Sequence, residues 1–254
     1  MNNTARRLLP LLKGIHQAKP GTPNTAALEH WPVVLTAAYS QKGWNERNIT
    51  RALLSAHDQI TLLHEELLGQ NVSIDIFQDY LMRIQSSFSP TLLNTAWSGI
   101  TSKFDRNCVH IIEWAAITLG TQEEQLNEED FQTLNKMLSD LDKLSKSNSL
   151  PLPLRQVLAR QVSELHAALV DYPIKGIAPI QKAVKTISGD VVAEQETLEG
   201  ASKSDSKDQT DAIHTLYSTI KKAADIVDRT AKTGGSVSAI WTIASSAWKA
   251  ISAT

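Results

Sequence analysis

The sequence predicts an all-α fold: a multi-helix bundle with a polar tether and a C-terminal helical hairpin. Three observations carry that prediction. Apolar residues recur at three- and four-residue spacing along nearly the whole chain. No run shows the strict apolar–polar alternation of a half-buried strand. Aromatic content of 6% and 11 glycines in 254 residues suit helices better than a strand-rich fold.

The first 24 residues read as a basic arm. Arg6, Arg7, Lys13 and Lys19 precede the first acid, Glu29. The apolar run Leu8–Leu12 is broken by Pro10 and is too short for a secretory signal, and the stretch is too poor in serine for a mitochondrial presequence. A loosely held arm and a cytoplasmic location are the resulting expectations.

A main helical domain is expected over residues 25–192. Asn45 caps a helix that aligns Ile49, Leu53, Ile60, Leu63 and Leu67 and stops at Gly69. Ser73 caps the next, with Phe77, Tyr80, Leu81, Ile84 and Phe88 facing inward, and Ser89-Pro90 starts another. The stretch "FDRNCVHIIEWAAITLG" has the length of a buried helix and ends at Gly120. Asn127 and the acids Glu128, Glu129 and Asp130 cap a helix that aligns Phe131, Leu134, Met137, Leu138, Leu141 and Leu144. Two further helices form an αα-hairpin whose turn is marked by Pro173 and Gly176.

Composition changes at "EQETLEGASKSDSKDQTD", residues 194–211, which holds a single leucine. A segment so polar cannot offset its ordering entropy by burial, so residues 193–211 read as a linker. Residues 212–254 then read as a hairpin. Its first helix carries a near-heptad seam of Ile213, Leu216, Tyr217, Ile220, Ala224, Val227 and Ala231. Its second follows Gly234-Gly235 and places Val237, Ile240, Trp241, Ala244, Trp248 and Ile251 on one face.

These six residues are the candidate interaction site. Five serines and a lysine among residues 236–254 argue against a stable transmembrane helix. Three readings of the stripe remain open: docking on the protein's own core or self-association, an interfacial membrane element, and a helix-in-groove site for a different protein.

Charge and motif content exclude other classes. With 25 basic and 27 acidic residues and a net charge of −2, no global field would recruit nucleic acid. The single cysteine, Cys108, excludes an intramolecular disulfide and a cysteine-based zinc cage, and nothing in its neighbourhood would activate it as a nucleophile. No phosphate-binding glycine loop or nucleophile elbow occurs, and "HEELL" carries Leu68 where a zincin needs its second histidine. His57 and His64 lie two turns apart, about 10 Å by helix rise, too far to share a metal ion. Neither Glu123 and Glu124 nor the acids at 128–130 have an EF-hand loop. Trp31, Trp44, Trp97 and Trp114 are expected in the core. No catalytic residue, cofactor, metal or small-molecule substrate is assigned.

Residues 45–192 resemble a group of uncharacterised bacterial all-helical proteins through "RNCVHIIEWAAITLG" and "LPLPLRQVLARQVSELHAALVDYPIKGIAPIQKAV". The resemblance implies a bacterial, intracellular origin and no catalytic residue. The expected function is a non-enzymatic assembly protein that associates with itself or another protein through its C-terminal apolar helix. The rival expectation is a membrane-acting effector of a toxin–antitoxin or antiviral defence system, peripheral to a membrane.

Overall fold

The computed structural model describes residues 3–18, 25–40, 43–73, 75, 77–121, 126–202 and 206–230. Among them are eleven α-helices, one short 3-10 turn and no strand beyond an isolated bridge between Ala26 and Ala96. The all-α prediction therefore holds. The chain separates into two compact units: unit 1 comprises Met1–Glu123 with Pro173–Gly176, and unit 2 comprises Glu124–Tyr172 with Ile177–Thr254. The expected division at residues 25–192 differs because an apolar stripe shows that a helix is covered without showing by which neighbour.

Unit 1 is built from α1 (Thr4–Gln17), α2 (Ala27–Tyr39), α3 (Glu46–Gly69), α4 (Gln78–Ser87), α5 (Trp97–Thr101) and α6 (Arg106–Thr118). Helix α1 corrects the expectation of a loose arm. Asn3 caps it by accepting the Arg6 N–H at 2.8 Å, and it buries Ala5, Leu8, Leu11, Leu12 and Ile15 against α2, α3 and α6. Pro10 does not break it, because its missing N–H would have served the carbonyl of Arg6, and both residues lie on the solvent face. Water can satisfy that carbonyl.

Helix α3 matches the sequence expectation. Asn45 accepts the Asn48 N–H at 2.9 Å, and Ile49, Leu53, Ile60, Leu63 and Leu67 are all buried. Helix α4 starts later than Ser73 predicts. Phe77 occupies the cap position without a side-chain cap bond, and its ring stacks on Trp114 at 4.8 Å instead of entering the core. The helix expected from Ser89-Pro90 is only the 3-10 turn Pro90–Leu92. Asp105 caps α6 through the Cys108 N–H at 3.0 Å.

The segments preceding α2 and α5 are tied by backbone hydrogen bonds from Ala27 N–H to Thr95 O and from Trp97 N–H to Thr25 O, each 2.9 Å. This tie sets the two helices so that Trp31 and Trp97 meet edge to face at 5.3 Å, both fully buried. Phe88 lies 6.2 Å from Trp31 and from Phe104, which extends an aromatic centre through unit 1.

Unit 2 is built from α7 (Glu128–Ser145), α8 (Leu152–Lys175, except its last three residues), α9 (Ala178–Ala193), α10 (Gln195–Ser202) and α11 (Lys207–Thr230). Asn127 caps α7 as expected, accepting the Asp130 N–H at 2.7 Å. Pro173 lies inside α8 rather than in the turn, and Gly176, at φ +70°, supplies the left-handed residue that ends the helix.

The segment 194–211 is not a linker throughout. Residues 195–202 form α10, which buries Leu198 and Ala201, and α11 begins at Lys207. One leucine at the right position anchors a short helix that average polarity conceals. Helix α11 buries Ile213, Leu216, Ile220, Ala224 and Val227 against α7, α9 and α10. The predicted seam is thus part of the unit 2 core, and the second arm of the expected hairpin lies outside the described residues. Ala231 lies outside the described residues.

Candidate interaction surfaces

The predicted site, Val237, Ile240, Trp241, Ala244, Trp248 and Ile251, lies wholly outside the described residues. The described chain leads up to it through α11, whose final residue, Thr230, is buried and donates its hydroxyl to Ile226 O at 2.7 Å. Ahead of it, Arg229 Nη2 and Lys222 Nζ reach the carboxylate of Asp130 at 2.9 and 2.7 Å. Asp130 is almost fully buried near the start of α7. The hydrogen bond from Lys222 foremost, and that from Arg229 after it, hold its carboxyl below the usual aspartate range against the opposing effect of burial. The end of α11 is therefore fixed to α7 by charge as well as by packing.

In unit 1 the unexpected polar centre is Arg7, which is 7% exposed. Its Nε donates to Ile174 O at 3.0 Å, and its Nη2 donates to Thr4 Oγ1 and Gln59 Oε1, both at 3.1 Å. Tyr39 donates its hydroxyl to the Arg7 carbonyl at 3.0 Å, and burial pushes the Tyr39 phenol far above its ordinary pKa. Asn3 adds a side-chain bond to Ala116 O at 2.9 Å and another to Gly120 O. Nothing in the sequence distinguished Arg7 from Arg6, because both belonged to one basic run.

Cys108 is buried, and burial pushes its thiol pKa up, the direction of an inert thiol. His57 and His64 lie half-buried on α3. No group of three or more metal-ligating side chains occurs among the described residues, and none of the described helices is long and apolar enough to cross a membrane. Glu123 and Glu124 lie outside the described residues.

Trp31 and Trp97 take the core positions expected of them, and Trp44 packs partly buried against that core. Trp114 does not. It is 38% exposed, stacks on Phe77, and shares the outer face of α6 with Ile117, which is 77% exposed. The sequence signal was available: residues 114 and 117 fall off the stripe formed by Cys108, Ile112, Ala115 and Ala116.

No protein family, curated protein or solved structure matches the chain.

Proposed function

We propose that the protein is a non-enzymatic assembly protein that associates through the apolar stripe Val237, Ile240, Trp241, Ala244, Trp248 and Ile251. The observation that supports this reading is the packing of α11, whose own stripe is buried in unit 2 beside α7, α9 and α10. Residues 234–254 nevertheless hold two tryptophans, three isoleucines and a single charged side chain, Lys249. Apolar helical stripes of this kind are normally covered by protein.

The membrane-acting alternative rests on the same composition. Tryptophan suits the headgroup boundary, but the opposite face, Ser238, Thr242, Ser245, Ser246, Lys249 and Ser252, lacks the basic residues that strengthen such binding. The test is light scattering combined with flotation on vesicles containing anionic lipid. The expected result is an assembled chain that does not float, and a Trp241→Asp, Trp248→Asp variant that is folded and no longer assembled. Unchanged assembly of that variant overturns the proposal, and flotation of the parent chain transfers the role of the stripe to lipid.

A further inference from the structure

We draw no further inference here: the strongest candidate, the exposed patch that Trp114 and Ile117 on the outer face of α6 make beside the ring of Phe77, is an apolar face, and nothing in the structure shows what covers it.

Discussion

Among the described residues, unit 1 packs around two fully buried tryptophans with Phe88 and Phe104, whereas unit 2 packs around leucine, isoleucine, valine and alanine, with Phe131, Tyr172 and Tyr217 at the margin. The difference shows two ways of closing a helical core. In unit 2, α11 supplies a regular seam, and any helix of that period meets its neighbours along its length. In unit 1 the rings must meet in a specific geometry, which a backbone tie ahead of α2 and α5 sets.

The aromatic solution has a cost. The indole N–H groups of Trp31 and Trp97 find no acceptor among the described residues. An unmet buried donor costs about 1–3 kcal/mol. Burying ~150–250 Å² of tryptophan surface at ~25 cal/mol/Å² contributes about 4–6 kcal/mol, so apolar burial prevails.

Trp97→Ala should destabilise unit 1 by about 3–5 kcal/mol through the cavity it opens. In a Trp241→Phe, Trp248→Phe background the remaining tryptophans, Trp31, Trp44, Trp97 and Trp114, all belong to unit 1. Fluorescence against denaturant then reports that unit alone, and hydrogen exchange in α11 should stay at its parental level. Equal loss of protection in both units would show that the two cores unfold as one.

Leu216→Ala is the counterpart in unit 2. It should cost about 2–5 kcal/mol, seen as faster exchange in α7, α9 and α11 with the fluorescence transition unmoved.

Asp130→Asn tests the charged tie between α7 and α11. Loss of the negative charge and of one of the two acceptor oxygens that meet Lys222 and Arg229 should cost unit 2 about 1.5–3 kcal/mol near neutral pH, the range for hydrogen bonds to a charged group. Because the carboxyl pKa is lowered by folding, its contribution is full above the unfolded aspartate value of about 3.9 and disappears as pH falls through the lower folded value. Acid titration followed by exchange in α11 should lose part of its slope below about pH 4 in the variant.

The smallest expected effect is that of Lys175→Ala. Its partner Asp58 is 60% exposed, so the pair contributes at most about 1 kcal/mol. The midpoint of unit 1 unfolding should barely shift, and the shift should vanish in high salt.

Several features were legible before any tertiary contact was known. Asn45 and Asn127 were readable as caps because a short side-chain acceptor ahead of an apolar stripe satisfies helix donors locally. The stripes of α3, α7 and α11 were readable because helical period needs only the nearest few residues. The proposed site at residues 237–251 was legible as a stripe and lies outside the described residues, so it remains a proposal drawn from sequence pattern.

What the sequence alone determined is therefore the class of fold, most of the helices and which of their faces are apolar, because these follow from interactions within about one turn. Only the tertiary structure decided that the basic start is a core helix, that Leu198 anchors α10, that Trp114 faces outward and that Arg7 grips Ile174. It also decided the division into two cores with Pro173–Gly176 assigned to the first. These outcomes depend on partners far along the chain. A proline or a charge looks disruptive until the structure shows whether water or a distant carbonyl meets it.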